Sequence, residues 1–244
     1  MKRSKIPYCD YSSSDLNVVT GCTSVSSGCK NCWARAIYER FGRDFSTVKT
    51  HPDKLQRLRR KRFPMDDNKR GPHSKPICFV CDTGDLFHED VPENFIVQAI
   101  DVMANRTDVT WLVLTKRADW LYGFTEAHAL WLDDIAHIWF GVTGETQQLL
   151  SDRWSWLDNA SVETRWISVE PMLGPIDLGD ARPDWVVCGA ESGPNRRPFD
   201  KAWAIDLKSQ CDERDIPYFF KQSSGLYPGT DPTLDGREWK SWPR

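Results

Sequence analysis

The sequence predicts an α/β fold, a partial or full TIM-like (β/α) barrel in a single domain spanning residues 1–244. Three observations predict it. Short runs rich in β-branched or aromatic residues recur along the chain, most of them are followed by a segment with helical spacing, and run after run ends in a charged or polar residue. The strands fall near 17–20, 77–81, 110–114, 138–142, 165–169, 185–188 and 218–220. The helices lie between most of them, at 31–41, 92–105, 118–136, 146–158 and 201–213. Strand then helix, repeated, argues for a parallel sheet with right-handed crossovers. No G-x-G-x-x-G turn follows the first strand, which disfavours an open sheet built around a dinucleotide and favours a barrel with fewer than eight units. The stretch 50–75 is the least regular and reads as a basic insertion.

Composition sets limits. Apolar residues make up 40% of the chain, with 12 Trp and 11 Phe, enough side-chain area for a sizeable core. The formal net charge is −3, so no overall positive field draws the protein to nucleic acid or anionic membrane, and any such binding is local. No stretch approaches the apolar length of a membrane span, and no apolar segment follows the basic start to make a secretory signal. A cytoplasmic protein with no membrane partner is therefore expected. Eight cysteines are too sparse for a disulfide scaffold. In a reducing compartment, clustered thiols mean metal or redox chemistry.

The predicted strands end in CDTGD, LTKR, GVTGE, SVEP, CGAESG and FFKQ, which places Asp85, Lys116, Glu145, Glu170, Glu191 and Lys221 at or just beyond their carboxyl ends. Loops begin with polar residues by default. Six such ends carrying both charge signs are better explained by one shared pocket on a barrel's carboxyl rim, where this architecture builds its sites.

After the first strand, Cys22, Cys29 and Cys32 stand in a loop that opens a helix, with six residues and then two between them. The start of a helix favours thiolates. Three thiolates on a four-iron cubane leave one iron open to a small molecule, whereas structural zinc needs a fourth ligand, for which Cys9 is the one candidate. Cys78 and Cys81 share the C-x-x-C pattern, but three positions apart on a strand they point to opposite faces. Cys188 and Cys211 read as core thiols.

The cysteine run together with DTGDLFHEDVP, LVLTKRADWL, WFGVTGE, ISVEPMLGPIDL, WVVCGAESGPNRRPFD and QCDERDIPYFFKQ closely resembles the phage gp thirty-seven/sixty-eight family, over nearly the whole chain and in order. That family in turn resembles a compact form of the radical S-adenosylmethionine enzymes. The resemblance implies a radical SAM type of barrel in which Cys22, Cys29 and Cys32 ligate a 4Fe-4S cluster. It implies that Thr83, Gly84 and Asp85 lie where such enzymes hold the methionine amino group of S-adenosylmethionine. By strand position, Thr143, Glu145, Ser168, Glu170, Gly189, Glu191 and Ser192 would line the rest of that cofactor. Lys116, Arg117 and Lys221 would meet anionic groups, and Lys116 and Lys221 are the catalytic candidates. The chemistry implied is generation of a deoxyadenosyl radical, fed by an electron donor such as flavodoxin or ferredoxin.

The substrate class rests on a different stretch. Residues 54–75 carry nine Lys or Arg against two Asp. Arg57, Arg59, Arg60, Lys61 and Arg62 form either a solvated helical face or a grip on a phosphate backbone. The latter points to modification or repair of a nucleic-acid base or nucleotide. Two other classes share parts of these features: a zinc-stabilised nucleic-acid-binding phage protein, and an iron-sulfur electron-transfer protein without S-adenosylmethionine.

Overall fold

The computed structural model describes residues 4–65, 74–129 and 135–243. In chain order its elements begin with β1 (Val19–Thr20), α1 (Trp33–Arg40), β2 (Lys49–Thr50), α2 (Pro52–Leu58), β3 (Ile77–Val80) and α3 (Glu93–Ala104). They continue with β4 (Thr110–Thr115), α4 (Ala118–Ala127), β5 (Ile138–Thr143), α5 (Gln147–Asp158), β6 (Thr164–Val169) and β7 (Trp185–Cys188). The chain closes with α6 (Lys201–Asp212), β8 (Tyr218–Phe220), β9 (Thr233–Leu234) and β10 (Arg237–Glu238).

Strands β3 to β8 form one parallel sheet in sequential order, curled into a half-barrel. When every neighbour is the next strand in sequence, each crossover turns the same way, and the helices collect on one face. Alternation along the strands does the sorting. Cys78, Val80, Trp111, Val113, Phe140, Val142, Ile167, Val169, Val186 and Phe220 face outward, in one cluster with Phe95, Ile100, Leu121, Leu150, Trp154 and Leu207 of the helices. Ile77, Phe79, Leu112, Trp139, Trp166, Trp185, Val187 and Phe219 face inward.

An unclosed half-barrel leaves this inner face to be covered, and the two ends of the chain cover it. Tyr8 sits 5.7 Å, ring to ring, from both Trp185 and Phe219. The Trp242 indole donates to the Tyr8 carbonyl at 3.1 Å, and the Trp185 indole donates to that of Ser241 at 2.7 Å. Each buried aromatic ring contributes roughly 150–250 Å² of surface removed from water. Sequence reasoning gave no role to Tyr8 or Trp242.

The first expected strand, at 17–20, is corrected. Its core Val19–Thr20 pairs antiparallel with β2 and lies outside the main sheet. Residues 10–21 instead track the free edge of β3, with the Asp10 amide on the Ile77 carbonyl, the Phe79 amide on that of Tyr11, and single parallel bridges Tyr11 to Cys78 and Gly21 to Gly84. The edge is covered by irregular backbone and not by a seventh strand. The irregular stretch 50–75 holds a short helix, α2, with Pro52 at its first turn. The helix expected over 118–136 ends at Ala127, and part of that expectation, residues 130–134, lies outside the described residues, as do residues 66–73 of the basic insertion. Cys78 and Cys81 also depart from simple alternation: Cys81 has φ 59°, which turns the chain at the strand's end, and both thiols lie in the outer cluster. Cys188 and Cys211 are fully buried core thiols.

Gly141 on β5 is paired with Trp166 on β6, and a Cβ at Gly141 would fall 2.4 Å from the indole ring. Trp166 is fully buried and its indole nitrogen is held by the Trp139 carbonyl at 3.0 Å, so it has nowhere to go. Gly141→Ala is expected to destabilise the fold by about 1–3 kcal/mol, as overpacking does. Urea unfolding measures it, and an unchanged midpoint would show the ring to be mobile.

Candidate active site

The inward parity of the strands continues past their ends. Leu114 leads to Lys116, Thr143 to Glu145, Ser168 to Glu170, Val187 to Gly189 and Phe219 to Lys221, so these residues face the concave side at the carboxyl rim. The apolar interior thus ends in a charged layer.

Glu145 is its most buried member, with no exposed surface. Its Oε1 accepts from Ser26 Oγ at 2.6 Å and from the Lys116 ammonium, and its Oε2 accepts from Arg153 at 2.6 Å. Burial alone would raise its pKa, yet Lys116 and Arg153 outweigh burial and hold the carboxyl below its ordinary range. Ser26 belongs to the cysteine loop, and a Cβ on Gly28 of the same loop would fall 2.3 Å from Glu145 Oε1. Glycine there lets the loop press directly onto the end of β5.

Two further ties hold that loop over the rim. Arg117 reaches Cys22 Sγ at 3.4 Å, Thr23 Oγ1 at 2.8 Å, Asp85 at 3.2 Å and Glu89. Glu191 accepts from Asn31 at 3.0 Å and from Arg197, joining the residue before Cys32 to the segment after β7. Cys29 is buried, while Cys22 and Cys32 are half-buried. Burial pushes the Cys22 thiol up to about 11, with Asp85 and Cys29 adding to it against Arg117. For Cys29, burial is outweighed by Lys116 and by hydrogen bonds from Val25 and Ser26, and its thiol lies below the ordinary value.

At the end of the neighbouring strand β6, Glu170 Oε2 accepts from Tyr8 at 3.2 Å and Lys221 at 3.2 Å. Its Oε1 is buried without a partner among the described residues, as are Ser168 Oγ and Asp82 Oδ1. Burial pushes the Tyr8 hydroxyl and the Cys9 thiol upward, and Asp82, which follows the backbone turn at Cys81, adds to both. Burial raises the Asp82 carboxyl to about 6.

Not every residue singled out in the sequence is free for a ligand. The Asp85 carboxylate is occupied by Thr115 Oγ1 (2.8 Å), the Phe87 and Lys116 amides and Arg117. Thr83 and Gly84 follow β3 and are bonded by the edge segment, the Thr83 carbonyl accepting from the Gly21 amide at 3.0 Å. The Thr143 carbonyl takes Arg153 at 2.5 Å, a Cβ on Gly189 would fall 3.1 Å from Glu170 Oε1, and Ser192 bridges to Gly225. Lys116 and Lys221 are each paired with a carboxylate. Arg57, Arg59 and Lys61 lie away from the rim, paired with Asp53, Asp101 and Asp15. Arg60 and Arg62 make no ion pair among the described residues. Cys9 points into the inner cluster, its thiol donating to Ser4 Oγ at 3.3 Å. Among the described residues no three His, Cys, Asp or Glu converge on a single-ion site.

Tyr8, Asp82 and Arg153 were not found by sequence reasoning. Only Arg153 left a signal, as a charged residue on the apolar face that Leu150, Trp154 and Leu157 define on α5.

The fold is a parallel half-barrel with a three-cysteine loop pinned over its carboxyl rim. The chain belongs to the family described as "Protein of unknown function (DUF5131)", which matches residues 3–243. No curated protein matches it. Among solved structures, a tyrosine-to-phenylalanine variant of spore photoproduct lyase is similar, with a TM-score of 0.52 at 10% identity over 93% of this chain and 78% of that one. A cysteine-to-serine variant gives the same values. A double variant with bound AdoMet and dinucleoside spore photoproduct has a TM-score of 0.50 at 11% identity, with the same coverage. At these identities the likeness is one of fold.

Two outcomes are expected. Glu145→Gln leaves Lys116 and Arg153 facing a neutral amide in a buried site and should cost about 3–5 kcal/mol in urea unfolding. For Asp82, the folded carboxyl near 6 exceeds an unfolded value of about 3.9, so the native state binds the proton more tightly. Its contribution to stability is complete below about pH 4 and is lost as pH rises through 6. Asp82→Asn should therefore gain about 1–2 kcal/mol on the parent between pH 4 and pH 7.5, and an equal difference at both pH values would refute the assignment.

Proposed function

We propose that this protein is a radical S-adenosylmethionine enzyme that acts on a nucleic-acid base or nucleotide. The observation that carries the reading is the cysteine loop itself. Three thiols on one loop are tied by Glu145, Arg117 and Glu191 to three different strand ends, over the concave side of a parallel half-barrel.

The residues present fit the group. Thiols are the donors that iron-sulfur clusters take, and Cys22, Cys29 and Cys32 would be the ligands. A cubane holds its ligating sulfurs apart by its own width, whereas zinc draws four ligands to about 2.0–2.3 Å from one point. Cys9, the one candidate for a fourth ligand, bonds to Ser4 Oγ, so a group that takes three thiolates is the better match. The unpartnered Ser168 Oγ, Glu170 Oε1 and Asp82 Oδ1 suit a ligand rich in hydrogen-bond donors, such as amino and ribose hydroxyl groups. That a protein similar in fold has been solved with AdoMet and a dinucleoside photoproduct supports a nucleotide substrate.

The cluster with S-adenosylmethionine supplies one-electron cleavage and carbon-radical chemistry. The chain's own part is positioning. Lys221, held by Glu170 above the Tyr8 ring, presents an ammonium to an anionic group of cofactor or substrate. Lys116 is committed to Glu145 and holds the Cys29 thiol low, so its role lies with the loop. The aromatic layer under the rim, Tyr8 with Trp166, Trp185 and Phe219, keeps water from entering from below.

Anaerobic purification should yield a brown protein with about four irons and four sulfides per chain. Dithionite and S-adenosylmethionine should then release deoxyadenosine, and alanine at Cys22, Cys29 or Cys32 should abolish both. One tightly held zinc, or a full cluster with no cleavage, would overturn the reading.

A further inference from the structure

The strongest feature outside the rim is a cavity of about 450 Å³ beside the ribbon of β1 and β2, lined by Tyr38, Arg43, Asp44, Lys49, His51 and Lys54, with Thr20 in its wall. Its charge is one-sided in use. Asp44 is closed on its own turn, accepting from the Ser46 amide (2.8 Å) and hydroxyl (2.7 Å) and from Thr47 Oγ1 (2.5 Å). His51 shares a hydrogen bond with Thr20 Oγ1 at 2.8 Å, and burial together with Lys54 and Lys49 lowers its pKa, which favours the neutral ring. Lys54 gives one donor to the Asn17 carbonyl at 3.0 Å and keeps the rest. Arg43 and Lys49 make neither a side-chain hydrogen bond nor an ion pair among the described residues, and the Tyr38 hydroxyl is likewise uncommitted. The pocket therefore sets three cations, Arg43, Lys49 and Lys54, against one carboxylate, Asp44, whose oxygens are turned to its own loop, in a chain whose net charge is negative. That is a complement for phosphate oxygens. Its volume lies in the range of nucleotide-sized sites and exceeds what inorganic phosphate needs.

The adjoining helix narrows the ligand class. Trp33, Ile37 and Phe41, at successive four-residue steps along α1 and its end, are 48%, 42% and 68% exposed. Tyr38, next to Ile37, is in the pocket wall. Two exposed aromatic rings, Trp33 and Phe41, on the helix whose Tyr38 lines a cationic pocket match a polymer with an anionic backbone and stackable bases. The pocket also adjoins the cysteine loop: Thr20 is in its wall, and Cys22 is two residues on, its amide bonded to the Phe45 carbonyl at 2.8 Å.

We infer that the pocket of Arg43, Lys49 and Lys54 seats a phosphodiester of a single-stranded polynucleotide whose bases lie on Trp33 and Phe41, leading the strand toward the carboxyl rim. The inference deepens the proposed function and rests on its nucleic-acid part. It places the main phosphate contact in this pocket, whereas most cations of residues 57–62 are spent on carboxylates.

The test is fluorescence anisotropy of a labelled oligothymidylate of about twelve nucleotides with the full chain, titrated from low to moderate salt. The double variant Arg43→Glu, Lys49→Glu should lose at least tenfold in affinity and lower the salt slope by about 1.4, from two contacts at roughly 0.7 each. Trp33→Ala with Phe41→Ala removes two stacking rings and should lose at least about thirtyfold with the slope unchanged. Unaltered binding in the charge-reversed protein, with its thermal midpoint intact, overturns the inference. So does displacement by inorganic phosphate at equal phosphate concentration, or charge-dependent binding to anionic phosphatidylserine vesicles without binding to the oligonucleotide. Failure of the enzyme reading is separable: Cys22→Ala should lose iron and keep oligonucleotide binding. Arg43- and Lys49-dependent binding by a protein that never carries iron would sustain the pocket while sinking the enzyme.

Discussion

A carboxylate with no exposed surface exists in ionised form only where charge and hydrogen bonds replace the water it has lost, and at Glu145 the replacements come from three separate parts of the chain. Lys116 comes from the end of β4, Arg153 from α5, and Ser26 from the cysteine loop. Strand, helix and loop are thereby referred to one buried point. The geometry of the thiols is set through that point, because Gly28 lies against the same oxygen and Lys116 is also the cation that lowers the Cys29 thiol.

The half-barrel divides into a dry lower part and a polar upper part, and a single rule produces both. Inward positions carry Trp, Phe and Leu while the strand lasts, and carry Lys, Glu and Gly once it ends. An aromatic floor beneath a charged rim lowers the dielectric around the rim groups, which strengthens the Glu170–Lys221 and Glu145–Lys116 pairs. It also leaves a few polar atoms, such as Ser168 Oγ and Asp82 Oδ1, without an internal partner. Such atoms cost stability unless something binds them.

Much of this was legible in the residues because period-two alternation is a local property. The parallel sheet, the positions of β3 to β8 within a residue or two, and the convergence of Lys116, Glu145, Glu170 and Lys221 all follow from it. What was not legible depends on contacts distant in sequence. The run at 17–20 has a strand's composition, but hydrogen bonds from residues 10–21 to β3, and pairing with β2, decide its place. Tyr8 carries no local mark of its role, since Glu170 lies 162 positions away. Asp85 looked available for a ligand because sequence cannot show that Thr115 and Arg117 already occupy it. The cations of 57–62 looked like a grip for the same reason, their carboxylate partners Asp15 and Asp101 lying far off in the chain.

The two ends of the chain meet inside the concavity, Trp242 on the carbonyl of Tyr8 and Ser241 on the indole of Trp185. Tyr8 also hands its hydroxyl to Glu170 at the opposite, polar level. This one residue is therefore a tie rod between the C-terminal segment and the rim. Loosening residues 240–242 withdraws the backing from Tyr8, so a disturbance at the extremity of the polypeptide is transmitted to a carboxylate at the mouth of the barrel without any intervening change in the strands.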